Sequence, residues 1–254
     1  MTPQAFLCLS KENIMSYILL SEDAHSKYSY ELESLNFQPI PLPADKRLNK
    51  IVQSHADTLI FQSESTLIAN ADYITAIPHQ IAQRFIAVPE APIGDYPSDT
   101  IFNALTVGRY MFAREAGLAP SVKKHAASSA LTLVNVNQGY AKCSTLALSA
   151  ARAAVTADKG MAAAMESVGI TVLRISCGHI ALDGCNYGFI GGTSFVVEPG
   201  YCRSLSEYKP SVFFFGDING HPDGNRITEF ITRLGYRTVC LSGELTDFGG
   251  AVII

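Results

Sequence analysis

The chain predicts an α/β fold built as a fan of repeated modules around a central axis, and three observations carry that prediction. First, an apolar strand ending in Asp, an amphipathic helix closed by Gly and a strand rich in β-branched residues recur along the chain. Second, the helical units are preceded by an apparent strand pair, such as residues 59–62 with 66–69, or 145–148 with 153–157. Third, no Gly-rich phosphate loop follows any strand, as a nucleotide-binding doubly wound fold would show. Arrays of β-helix-β units settle as a doubly wound sheet, a barrel or a radial fan, and the last two observations favour the fan.

Taken in order, the N-terminal unit reads as a strand over 16–20, a helix over 26–35 and a strand over 37–42. A more irregular unit follows at 106–113, 122–130 and 131–136. The two clearest copies place strand, helix and strand at 153–158, 159–168 and 170–176, and at 212–217, 225–234 and 236–242. Gly169 and Gly235 stand just past those helices, where the backbone turns left-handed and only glycine enters freely. A unit with one helix cannot bury its own apolar face, so the copies must share a core. Four such copies fill the chain, which reads as one domain over residues 1–254 with about four to five modules. The proline-containing stretch 78–98 reads as a loop, and the apolar run 185–197 as a buried strand too short to span a bilayer.

Composition narrows the function classes. A chain of 254 residues buries about three quarters of its unfolded surface, and 48 % hydrophobic against 17 % charged residues excludes intrinsic disorder. The net charge of -4, with no basic run beyond Lys123 and Lys124, argues against a nucleic-acid surface. Residues 1–9 lack a basic leader, and Lys11 and Glu12 interrupt the apolar run before Ile14, so a cytoplasmic protein without a membrane anchor is expected. The six cysteines (Cys8, Cys143, Cys177, Cys185, Cys202 and Cys240) form no C-x-x-C pair, so reduced thiols, no metal and no cofactor are expected. A small-molecule ligand is the expected partner, and nothing in the sequence sets the oligomeric state.

Four turns gather polar residues. In residues 96–103 Asp99 and Asn103 flank an apolar pair; the structural reading is an Asp that satisfies its own turn. In 135–144, alternation puts Asn135 and Asn137 on one face, Gln138 follows, and Lys142 beside Cys143 would favour a thiolate; a buried inert cysteine is the other reading. In 181–192, the carboxylate of Asp183 is a candidate to hold a guanidinium beside Asn186 and Tyr187, while turn chemistry alone explains the glycines. In 217–225, alternating Asp and Asn resemble a calcium loop, but Pro222 and Thr228 stand where such a loop needs Gly and Glu. His221, between Asp217 and Asp223, is a candidate acid-base; the alternatives are an exposed histidine and helix capping by Asp223 or Asn225.

Segments 135–144, 156–160, 182–192, 216–223 and 245–250 resemble a bacterial family assigned the guanidine-modifying-enzyme, or pentein, fold, itself distantly similar to arginine deiminase and dimethylarginine dimethylaminohydrolase. The run Asn186-Tyr187-Gly188-Phe189-Ile190-Gly191-Gly192 is its most specific part. The resemblance implies a pentein-like α/β propeller, with ββαβ modules arranged around a pseudo-fivefold axis and the site in the central channel. It also implies a C-terminal cysteine that attacks a guanidinium carbon, a histidine that moves protons and carboxylates that hold the cation. This sequence departs from that set: Ile253 and Ile254 stand where the cysteine belongs, and Ala181 where the histidine belongs. Asp99 matches the first acidic segment.

Two functions follow as expectations. One is a hydrolase or transferase acting on C–N bonds of a small guanidino or amidino compound, with Cys143 as nucleophile, His221 as acid-base and Asp183 and Asp99 holding the cation. The other is a non-catalytic relative that binds a small cationic metabolite. Asp99, Asn103, Gln138, Lys142, Asn186, Tyr187 and Asp217 are the expected ligand-lining residues.

Overall fold

Strand β1 (Ser16–Ser21) is followed by helix α1 (Glu22–Ser34) and by β2 (Phe37–Leu42), which lies parallel to β1. That crossover is repeated four more times in the computed structural model, which describes residues 16–198 and 209–254. Cys8, Cys202 and the reading of residues 1–9 fall outside the described residues.

After a short helix α2 (Ala56–Leu59), the second unit has a hairpin of β3 (Phe61–Ser63) and β4 (Thr66–Asn70). Two one-turn helices, α3 (Ala71–Ile74) and α4 (His79–Ala82), then lead to β5 (Phe85–Val88), parallel to β4. The third unit is β6 (Leu105–Val107), β7 (Tyr110–Ala113), α5 (Pro120–Ser128) and β8 (Thr132–Asn135). The fourth is β9 (Thr145–Leu148), β10 (Ala153–Thr156), α6 (Lys159–Ser167) and β11 (Thr171–Arg174). The fifth is β12 (Ser194–Val197), β13 (Ser211–Phe214), α7 (Gly224–Arg233) and β14 (Arg237–Cys240). Strand β15 (Ala251–Ile253) returns to pair antiparallel with β1, so the chain's last strand completes its first sheet. Among the described residues the result is a mixed α/β fold with five three-stranded sheets of one design, an antiparallel strand and a parallel strand flanking a central one.

The central strands explain the apolar composition. Successive side chains point to opposite faces, and both faces are covered. In β1, Ile18 and Leu20 enter one apolar cluster with Tyr28 and Leu32 of α1 and Phe213 of β13, while Leu19 enters another with Leu67 and Ala69 of β4. In β7, Met111 and Ala113 pack with Ile68 and α5 residue Val122, whereas Phe112 packs with Ala154 and α6 residues Met161 and Met165. A fifth cluster joins Val155 of β10 to Val212 and Phe214 of β13 and to Ile227 and Ile231 of α7. Each cluster therefore draws on two sheets and the helix between them. Residues of the antiparallel strands β3, β6, β9, β12 and β15 together line one cavity of about 740 Å³.

The structure corrects three readings of the sequence. There are five units, because residues 78–98 contain α4 and β5 and belong to a module whose helix is broken into two single turns. The strand expected over 106–113 is a hairpin, turned at Gly108, whose φ is +55°. Within 185–197 only Ser194–Val197 is a strand, and Cys185, Asn186 and Tyr187 are exposed. Gly169 and Gly235 do follow their helices with φ of +79° and +86°.

Candidate functional site

The turn between β8 and β9 carries Gln138, Tyr140, Lys142 and Cys143, and a neighbouring side chain holds it in place. Asn103 Oδ1 accepts the backbone N–H of Lys142 at 2.8 Å and that of Cys143 at 3.4 Å. Gln138 accepts the Tyr140 amide at 3.1 Å and donates to Asp158, which also caps α6 by accepting from the Met161 amide. The Tyr140 hydroxyl donates to Asp99.

Two glycine-rich loops close on this turn. A side chain at Gly191 would collide with the carbonyl oxygens of Lys142 and Cys143, and one at Gly192 with the carboxylate of Asp247. The absence of a Cβ thus lets Asp247 reach inward. Its Oδ2 accepts from the Phe189 amide at 2.8 Å and from the Cys143 thiol at 3.4 Å, and its Oδ1 accepts from the Gly249 amide at 2.9 Å. Gly249 in turn packs on His55, and its carbonyl oxygen accepts the Asp57 amide at 3.1 Å. Asp57 also acts electrostatically on Cys143, so two carboxylates bear on the thiol.

The electrostatics of this cluster run against ordinary ionisation. Burial pushes the Asp57 carboxyl up to about 6, and nearby Asp247 adds to the shift. Burial pulls the Lys142 amine down, opposed by Asp57. The Cys143 thiol is raised by burial first and then by Asp247 and Asp57, so Lys142 does not produce the thiolate that its sequence position suggests. Burial also raises Asp99.

Four buried polar atoms here have no hydrogen-bond partner: Asp57 Oδ2, Asp99 Oδ1, Asn103 Nδ2 and Lys142 Nζ. Asp57 is 2 % exposed. It lines the cavity bounded by the five antiparallel strands, as does Lys142. Outside the cluster, Tyr96, Tyr140, Phe189 and Tyr187 form a row of ring contacts at 5.6, 6.4 and 6.1 Å.

The remaining sequence candidates are placed differently. His221 is buried, not exposed; its Nδ1 accepts the Asp223 amide at 3.0 Å and its Nε2 faces the Ser176 carbonyl oxygen at 3.2 Å, which defines a neutral imidazole with the proton on Nε2. No carboxylate bonds it. Asp223 stands at the N-cap of α7 without capping it, and instead accepts from the Ser176 amide and pairs with Arg226. Asp217 caps the turn at Asn219, and Asp183, Asn186 and Tyr187 are exposed. The structure therefore brings together Asp99, Asn103, Gln138, Lys142 and Cys143, and leaves His221 and Asp217 outside that cluster with partners of their own. Ala181 bridges to Thr246, and Ile253 is buried in β15.

Asp57, His55, Tyr140 and Asp247 were not among the sequence candidates. Asp247 lies in the segment 245–250 that the resemblance had marked, so its signal was present; Asp57 sits in a stretch with no motif. Among the described residues no group of three or more His, Cys, Asp or Glu is placed to hold a metal ion, and no helix is long and apolar enough to cross a membrane.

A profile for a family of unknown function, DUF6873, matches residues 19–252, and the chain belongs to that family. No curated protein matches the chain.

Proposed function

We propose that this member of the DUF6873 family is a cytoplasmic, pentein-like α/β propeller whose central site binds a small cationic metabolite of guanidino or amine type. The propeller reading draws support from the five like sheets, from apolar clusters each shared between two sheets, the first and fifth included, and from the cavity lined by all five antiparallel strands. Free thiols at the four described cysteines fit a reducing compartment.

One observation carries the ligand reading: Asp57, a lining residue of the cavity, holds a buried, unpartnered carboxylate oxygen with Asp247 nearby. An unsatisfied buried acceptor costs about 1–3 kcal/mol, and a bound cation would repay it. Binding is favoured over catalysis by Cys143, because burial and two carboxylates keep that thiol protonated and His221 is engaged with Ser176 and Asp223.

Thermal unfolding with millimolar agmatine, L-arginine, cadaverine and L-lysine tests the reading. At least one compound should raise the melting temperature in a concentration-dependent way, with a gain of about 2.7 kcal/mol at a hundredfold excess over Kd. The gain should vanish in Asp57→Asn. A flat response to all four would overturn it.

A further inference from the structure

We infer that the central site selects a zwitterion, a ligand bearing an anionic group beside its cationic one, and that Lys142 is the residue that reads the anion. This rests on the central cavity being the cation site proposed above.

A site built for a cation alone would present acceptors alone. The polar cluster at this one holds two of each kind, and Asp57 and Lys142 of that cluster line the cavity. Asp57 Oδ2 and Asp99 Oδ1 are unpartnered acceptors, while Lys142 Nζ and Asn103 Nδ2 are unpartnered donors, and all four are buried. They belong to one constellation. Asn103 holds the Lys142 amide, Tyr140 links Asp99 to the same turn, and Asp57 interacts electrostatically with both Lys142 and Tyr140. Asp57 and Lys142 line the same cavity, yet they make no salt bridge with each other.

The physical requirement follows from burial. A lone ammonium group away from water is costly unless an anion or several acceptors meet it. Asp57 is the carboxylate that acts on Lys142, but a cationic ligand would compete for it and leave Lys142 facing a like charge. A ligand carboxylate directed at Nζ removes that conflict, since each buried charge then has an opposite partner.

Isothermal titration with two matched pairs decides the matter: L-arginine against agmatine, and L-lysine against cadaverine, the members of each pair differing by one carboxylate. The carboxylate-bearing member should bind the wild type at least tenfold more tightly. Lys142→Met should erase that ratio, and Asp57→Asn should weaken both members of a pair. Equal or tighter binding of agmatine and cadaverine by the wild type overturns the role of Lys142 and leaves the cation site standing. A preference that survives in Lys142→Met also overturns it. Binding of neither member of either pair overturns the cation site and the zwitterion with it. The wild-type ratios decide the question even if Lys142→Met does not fold.

Discussion

Two networks of this protein contain the residue types that catalysis uses, and they differ in how their polar atoms are satisfied. Around His221, the imidazole has a partner at each nitrogen, Asp223 accepts from the Ser176 amide and pairs with Arg226, and that carboxyl is held down at about 2, chiefly by the Ser176 amide. Around Cys143, Asp57 and Asp99 are pushed up, the lysine is pulled down, and four buried atoms have no partner. The first network stabilises the fold. The second costs stability, and an arrangement that breaks the rule of satisfied burial is where a ligand is to be sought.

The largest expected effect comes from Gly192→Ala. Its Cβ would drive into the Asp247 carboxylate, whose two oxygens are held in place by the Phe189 and Gly249 amides. Destabilisation of about 3 kcal/mol should appear in urea unfolding, as for overpacking of a close contact. Near-wild-type stability would mean that Asp247 is free to leave the cluster.

Asp223→Ala comes next. It removes the acceptor for the Ser176 amide and the partner of Arg226, and should cost about 2 kcal/mol at neutral pH. Because the folded-state value of Asp223 lies below its ordinary 3.8, its contribution is complete above about pH 4 and is lost as the pH falls toward 2. The variant should therefore approach the wild type in acid. A gap that persists at pH 2 would detach this network from the carboxylate.

The smallest effect has the opposite sign. Asp57 has a folded-state value of about 6, above its ordinary 3.8, so the folded chain holds the proton more tightly and stability falls as the pH rises from about 4 through 6. Asp57→Asn removes that fall. The full shift corresponds to roughly 3 kcal/mol, part of which is offset by lost support for Lys142, so a net gain of about 1 kcal/mol is expected at pH 8. A loss of stability instead would make Asp57 a structural residue like Asp223 and erase the contrast between the networks.

The legible part of the site was the part held in single turns. Lys142 and Cys143 stand in one polar turn with Gln138, and Asp99 and Asn103 in another, so residue type and spacing were enough to mark them. His221 misled for the same reason: Asp217 and Asp223 are close along the chain, but the carboxylates turn toward Asn219, Ser176 and Arg226. Asp57 was invisible because nothing in its neighbourhood distinguishes it. Its role comes from burial beside residues from other turns.

The same division holds for the fold. The sequence alone determined the repeating unit, since strand alternation, helical periodicity and the left-handed residue after a helix are short-range effects written in a few adjacent residues. It read the strand pair of the second module but not its helical connection, because two single-turn helices carry no such periodicity. Only the tertiary structure decided that the last strand completes the first sheet, that five antiparallel strands share one cavity, and that Cys143 meets an aspartate 104 residues away. Those contacts depend on how whole modules share their apolar faces, and no local pattern specifies which distant turns that sharing brings together.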